Sequence, residues 1–150
     1  MSSIEHAIAN ERNSVTMYES LAKKILLPDL KGLFASMAHD EQYHVDVISA
    51  VIENPGAYMI YQPDLDNLSR IFESIVDCKG LEGLPRDVVD GCHEAMKNEE
   101  IVLCRYEELL ANEENKVTKS LFGKIMEQER KHLSVMKDLC VLVSEQQSAK

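Results

Sequence analysis

The sequence repeats itself at an interval of 88 residues, and this repeat constrains the fold more than any other feature. When residues 5–48 are aligned with residues 93–136, twelve of the 44 pairs are identical, whereas ordinary compositions would give roughly three by chance. Helical periodicity could align the apolar pairs, but it does not explain why polar residues coincide as well. The chain is therefore expected to contain two equivalent helical hairpins.

Hydrophobic periodicity predicts two long helices in each half. Apolar residues recur at three- and four-residue steps, which is typical of amphipathic helices. Pro28 and the Asn-Pro-Gly segment at 54–56 interrupt the pattern, because proline resists the helix interior. Ser2 and Glu5 fit a capping box at the start of the first helix. The predicted long helices cover residues 3–26, 29–53, 87–112 and 116–145.

The residues between the two halves predict a long connection. Residues 54–86 are rich in proline and glycine, with a short helix predicted at about 65–78. Such a segment is long enough to run the length of a bundle, while the tail after residue 145 is expected to fray. The predicted fold is therefore an all-α four-helix bundle of two hairpins joined by a crossover, in a single domain of residues 1–150.

The identical polar residues follow one pattern in both halves. A glutamate is followed by a tyrosine seven residues later, a second glutamate thirty residues later and a histidine three residues after that. The two copies are Glu11, Tyr18, Glu41 and His44, and Glu99, Tyr106, Glu129 and His132.

The spacing of these residues predicts a shared metal site. In each half the two glutamates lie about fifteen residues on either side of the predicted turn, so both reach the same height, roughly 22 Å from the turn. Each histidine shares a helix face with the glutamate three residues before it, among apolar neighbours at core spacing. Unpaired buried carboxylates are strongly disfavoured, and two divalent cations would balance four ionised glutamates. Carboxylate and imidazole ligands suit iron or manganese better than zinc, without excluding zinc.

This ligand pattern resembles a known family. One glutamate from each of two helices, with Glu-x-x-His from each of the other two, is the ligand set of ferritin-like di-iron carboxylate proteins. The whole chain resembles this superfamily, and its length, its crossover and its glutamate-to-tyrosine spacing are most similar to the ferritin-like domain of rubrerythrins. The resemblance implies a ferritin-like bundle with two carboxylate-bridged iron ions.

The resemblance also implies a role for each residue of the repeat. Six residues would hold the irons: the terminal ligands Glu11 and Glu99, the bridging ligands Glu41 and Glu129, and the capping ligands His44 and His132. Tyr18 and Tyr106 would donate hydrogen bonds to the carboxylates. Glu94 and Glu127 are the substitutes expected if a ligand is misplaced. The remaining histidines, His6, His39 and His93, are expected at the surface or its boundary.

Two departures from rubrerythrins bear on the activity. Rubrerythrins carry paired CxxC motifs in a rubredoxin domain, and this sequence has none, so a separate electron-donor protein or a small reductant is expected. They also carry an extra glutamate three residues past the terminal ligand of the third helix, where this chain has Val102.

Several functions fit this prediction. The resemblance implies an oxidoreductase that reduces hydrogen peroxide, since two ferrous ions can together deliver two electrons. Ferroxidase activity, iron handling and oxygen scavenging are the main alternatives. A structural module with a vestigial site and, less favoured, a hydroxylase complete the list.

Composition limits the partners and the compartment. A formal net charge of −10 argues against binding to nucleic acids or to anionic membranes. The sequence shows no apolar run that could span a membrane and no secretory signal, and its four cysteines form no CxxC pair. The expectation is a cytoplasmic protein that assembles as a homodimer.

Overall fold

Five helices account for most of the residues that the structure describes, which are residues 2–78 and 80–148 of a computed structural model. No described residue lies in a β-strand. The helices are α1 (Ser3–Lys24), α2 (Pro28–Glu53), α3 (Asn67–Val76), α4 (Arg86–Asn112) and α5 (Lys116–Ser148).

The helix starts follow from local chemistry. The Ser2 hydroxyl accepts a hydrogen bond from the backbone N–H of Glu5 at 3.2 Å, which satisfies one free donor at the start of α1. Helix α2 begins at Pro28, one residue before the predicted start. Proline suits the first turn because its missing N–H would have no partner there.

Helix α5 is longer than predicted. It continues to Ser148 instead of ending at residue 145, so residues 146–148, expected to fray, are helical; residues 149–150 lie outside the described part. The side-chain amide of Gln147 donates to the carbonyl of Leu81 at 2.9 Å. This bond ties the helix end to the connection between the hairpins.

The helices form the predicted pair of hairpins. Helix α1 packs chiefly on α2 and α4 chiefly on α5, while α1 also contacts α4. The connection contains two 3-10 turns, Pro55–Ile60 and Leu81–Gly83, and helix α3, which packs on α2 and α5. The prediction of an all-α four-helix bundle with a crossover is confirmed.

Among the described residues, none of the helices has the length and apolar character of a membrane-spanning segment.

The apolar core is divided into two clusters. One contains Tyr18 stacked on Phe34, with ring centroids 6.0 Å apart. The other contains the repeat partners of these residues, Tyr106 and Phe122, at 5.6 Å. The repeat therefore appears in the packing as well as in the sequence, and each cluster includes one of the two tyrosines that contact the polar residues of the repeat.

The two hairpins approach each other closely where α4 crosses α1. A Cβ atom added to Gly91 would lie 2.3 Å from Cδ2 of Leu21, a buried side chain. Such a distance is too short for two carbon atoms. Glycine at residue 91 therefore permits the approach of the two helices that carry Glu11 and Glu99.

We predict that Gly91→Ala lowers the free energy of unfolding. The methyl group would displace Leu21, and overpacking costs about 1–3 kcal/mol, more than the helix propensity gained, about 1 kcal/mol at most. The control is Gly123→Ala in α5, where an added Cβ meets no atom within 4 Å and a small stabilisation is expected. Denaturant unfolding of both variants in the same metal state tests this, and equal stabilisation by both would contradict the close packing.

Candidate metal centre

Six polar side chains of the repeat meet in the middle of the bundle. Helices α1 and α4 each contribute one glutamate, whereas α2 and α5 each contribute a glutamate and the histidine one turn later. All six residues have 0% exposure to solvent. They are Glu11, Glu41, His44, Glu99, Glu129 and His132.

The six residues form two overlapping groups. In each group, one potential ligand atom from every member lies within 4.8 Å of the others. Glu41 and Glu129 belong to both groups; Glu11 and His44 complete the first, and Glu99 and His132 the second.

The two shared glutamates each turn one oxygen toward each histidine. Glu129 places Oε1 2.9 Å from Nδ1 of His44 and Oε2 3.6 Å from Nδ1 of His132. Glu41 places Oε2 3.9 Å from Nδ1 of His44 and Oε1 2.7 Å from Nδ1 of His132. This is the arrangement required of a carboxylate that bridges two cations.

Many of these atoms lack hydrogen bonds. Both carboxylate oxygens of Glu41 and of Glu129, one oxygen of Glu99 and Nδ1 of His132 are buried without a hydrogen-bond partner among the described residues. Buried polar atoms are normally satisfied, because leaving one unpaired costs about 1–3 kcal/mol. Close, buried and unpaired oxygen and nitrogen atoms are suitable ligands for divalent cations.

Without a cation, bound protons would reduce the repulsion among the buried carboxylates. Burial raises the pKa of Glu99 to about 8, aided by the nearby charge of Glu129, and burial likewise raises that of Glu41. Burial alone would lower the pKa of His44, but the Glu11 and Glu129 carboxylates outweigh it and raise the value to about 10. The imidazoles of His132 and His44 similarly outweigh burial at Glu129 and hold its pKa well below the usual value.

The two repeat tyrosines hydrogen bond crosswise between the hairpins. The Tyr18 hydroxyl of α1 donates to Glu99 of α4, and the Tyr106 hydroxyl of α4 donates to Glu11 of α1. Burial raises the pKa of both phenols, which therefore remain donors. Glu99 and Glu11 are thus each oriented by a tyrosine from the opposite hairpin.

The histidines are also oriented from the opposite hairpin. Nε2 of His44 lies 2.6 Å from Oε1 of Gln128, and Nε2 of His132 lies 3.1 Å from Oδ2 of Asp40. Because both partner atoms accept hydrogen bonds, Nε2 carries the proton in each neutral ring. Nδ1 is then free to bind a cation in the site.

Sequence reasoning missed three of these supporting residues. Asp40 and Gln128 occupy equivalent positions in the repeat, each directly before a shared glutamate, so their positions offered a signal even though their identities differ. Tyr61 comes from the connection and donates to Oε1 of Gln128 at 2.8 Å. Its ring packs edge-on against His44, and no periodic pattern marks it.

The other acids and histidines named from the sequence belong to neither four-residue group. The side chains of Glu94, Glu127, His6 and His39 are exposed, and His93 is partly buried. Val102 is buried in the apolar cluster that contains Tyr106. Neither four-residue group therefore receives a carboxylate from residue 102.

Comparison with known proteins identifies the family. The rubrerythrin family model matches residues 3–140. The chain belongs to the rubrerythrin family. The matched span includes all eight residues of the paired pattern, so the resemblance inferred from the sequence is confirmed.

A solved structure supports the fold of this rubrerythrin-family chain. A hypothetical protein from Pyrococcus furiosus matches it with a TM-score of 0.69 and 23% sequence identity, over 96% of this chain and 89% of the other. At this identity the likeness shows the fold alone. Comparison with curated proteins gives no significant match.

The side chains present in this rubrerythrin-family chain fit a metal centre. The two carboxylate-rich groups share two glutamates whose oxygens are unpaired, and both histidines keep one nitrogen directed into the site. The donor set is oxygen-rich with one imidazole in each group, which suits iron and manganese.

We predict that metal binding releases protons and strengthens as the pH rises. Near neutral pH the metal-free site holds protons on His44 and Glu99, whose pKa values are about 10 and about 8. A cation must displace these protons, so affinity should increase from about pH 6 to about pH 8. Calorimetric titration with Mn²⁺ in buffers of different ionisation enthalpy measures the release. An affinity independent of pH would contradict a protonated metal-free site.

We predict that Glu129→Gln reduces the number of Mn²⁺ ions bound. The substitution removes an ionised carboxylate that faces both histidines and belongs to both four-residue groups, so each group loses a charged oxygen that could bind a cation. Glu127→Gln is the matched control, since Glu127 is exposed on the same helix. Metal content after dialysis, measured by elemental analysis, should fall for Glu129→Gln alone. Unchanged content would remove Glu129 from the ligand set.

Proposed function

We propose that the protein is a non-haem di-iron oxidoreductase that reduces hydrogen peroxide to water with electrons from an external donor. The observation that carries this proposal is the pair of shared glutamates, each with one oxygen toward each histidine, inside a rubrerythrin-family bundle. In ferritin-like di-iron proteins the two Glu-x-x-His motifs supply glutamates of this kind.

In this proposal each iron has a matching set of ligands. Glu11 and His44 would hold one iron, and Glu99 and His132 the other, with the two shared glutamates between them. Two ferrous ions carry the charge that balances four ionised glutamates. Manganese could occupy the same donors, because its preference for oxygen and imidazole ligands is similar.

The reaction needs two electrons and two protons for each peroxide. When bound, the two ferrous ions supply one electron each, and cleavage of the O–O bond by two electrons and two protons yields two water molecules. Tyr18 and Tyr106 hold the terminal glutamates in position through their hydroxyl donors. Asp40 and Gln128 hold the histidines with Nδ1 directed inward.

The closed surroundings of the site favour a small oxidant. All six candidate ligands are fully buried. A surface cavity of about 750 Å³ between α1 and α4 is lined by residues such as Asn10 and Arg105 but by none of the six. Peroxide and dioxygen are small enough to reach such a site through local fluctuations, whereas an organic substrate would need an open pocket.

Ferroxidase or oxygen-scavenging activity is the second candidate. The observation that favours it is Val102, which is buried and apolar where the resemblance to rubrerythrins implies an additional glutamate. If peroxide reduction in the family depends on that carboxylate, this chain would react with its oxidant differently. The bound irons would then be oxidised by dioxygen, in iron handling or in oxygen removal.

The proposal includes a donor and a compartment. The ferric site would be re-reduced by a separate redox protein or a small reductant, and a homodimer is the proposed assembly. The cytoplasm is the proposed compartment. Its support is that Cys78, Cys92, Cys104 and Cys140 are free thiols, as expected of a reducing environment.

We predict that hydrogen peroxide oxidises the ferrous protein faster than dioxygen does. The protein would be loaded anaerobically with two Fe²⁺ per chain and mixed with each oxidant in a stopped-flow spectrometer, with Glu127→Gln as the control variant. The expected result is oxidation of two irons per peroxide. Faster oxidation by dioxygen would replace the peroxidase proposal with the ferroxidase one, and failure to bind two irons would exclude both.

A further inference from the structure

The two candidate metal positions have equal ligands but unequal support. Each position combines one terminal glutamate, Nδ1 of one histidine and the two shared glutamates. Each terminal glutamate also accepts a hydrogen bond from a tyrosine hydroxyl. The repeat makes these parts equivalent. The two positions differ in the residue that contacts Nε2 of each histidine. This residue is Asp40 for His132 and Gln128 for His44, and the two occupy equivalent places in the repeat.

We propose that the two positions differ in affinity, and that the position of Glu99 and His132 binds a divalent cation more tightly than the position of Glu11 and His44. The inference rests on the proposed dinuclear site and assigns Asp40 and Gln128 as positioning residues that act through the histidines.

Asp40 strengthens His132 as a ligand. Its carboxylate accepts a hydrogen bond from Nε2–H of His132 at 3.1 Å, and its side chain is 19% exposed. A carboxylate behind a histidine raises the basicity of the opposite nitrogen and fixes the ring. The Nδ1 atom of His132 therefore donates more strongly to a cation in the site.

Gln128 gives His44 weaker support. Its side chain is neutral and buried, and the same Oε1 atom accepts both Nε2–H of His44 at 2.6 Å and the hydroxyl of Tyr61 at 2.8 Å. A neutral acceptor shared by two donors polarises the imidazole less than a carboxylate does. The Tyr61 ring, 5.7 Å from that of His44, adds an apolar wall and no charge.

The difference between Asp40 and Gln128 would determine the order in which cations bind to the two positions and leave them. The first cation would occupy the position backed by Asp40, and the second would complete the pair beside Glu11 and His44. The second position would also lose its cation first. Changes to the outer partner of a metal-binding histidine typically alter affinity by roughly 10–100-fold, which is large enough to separate the two binding events.

The test uses Mn²⁺ and a swap of the two partners. Calorimetric titration of the parent should resolve two binding events that differ by roughly 10–100-fold. Asp40→Asn should weaken the tighter event, and Gln128→Glu should tighten the weaker one. The double variant Asp40→Asn/Gln128→Glu keeps the net charge of the parent and should reverse the order of filling. Glu127→Gln is the surface control.

Crystals of the parent and of the double variant, loaded with one equivalent of Mn²⁺, identify the filled position by anomalous scattering. The expected signal lies beside His132 in the parent and beside His44 in the double variant. Equal occupancy in the parent, first filling beside His44, or an unchanged order in the double variant would overturn the inference. If a variant does not fold, the parent crystals still decide. Absence of any Mn²⁺ binding would overturn the proposed function as well, whereas two-step binding without peroxide reduction would overturn only the peroxidase.

Discussion

The fold depends on the burial of four carboxylates and two imidazoles in one layer of the core. Removing such groups from water costs several kcal/mol for each uncompensated charge, so the bundle must provide partners for all six. The structure places imidazoles beside the carboxylates and hydroxyl donors behind Glu11 and Glu99. The oxygens of Glu41 and Glu129 keep no hydrogen-bond partner among the described residues, so a cation would be their remaining partner. The apolar clusters that contain Tyr18 and Tyr106 supply the hydrophobic burial that offsets the cost.

The crosswise hydrogen bonds make the site a joint property of both hairpins. Glu11 is satisfied by Tyr106 and His132 by Asp40, and in both pairs the partner belongs to the other hairpin. A separated hairpin would expose these polar groups to water but could not orient them, because their donors and acceptors would be absent. The site is therefore complete only when the two hairpins are packed together, and Gly91 allows the close approach of α1 and α4.

The sequence predicted the hairpins and the height of the glutamates because these depend on local periodicity and on distance from a turn. It could not predict that Tyr18 would donate to Glu99, because that pairing depends on how the crossover sets one hairpin against the other. The contact of Tyr61 with Gln128 could not be predicted either, because Tyr61 lies in an irregular segment of the connection. Helix α5 extends beyond the predicted residue 145, and Gln147 near its end donates a hydrogen bond to the carbonyl of Leu81, a contact that local periodicity cannot predict.

Because residue 102 is a valine, the difference between Asp40 and Gln128 becomes important. In the proposed dinuclear site, a further carboxylate from α4 would make the two cation positions different through their direct ligands. With a buried valine there, the repeat leaves both four-residue groups with the same kinds of side chain. Any difference between the two proposed positions must then come from residues outside these groups. Asp40 and Gln128 are such residues. Asp40 is a partly exposed carboxylate, whereas Gln128 is a buried neutral amide. A single difference between equivalent positions of a repeat would therefore distinguish the two proposed metal positions, which have the same kinds of candidate ligand.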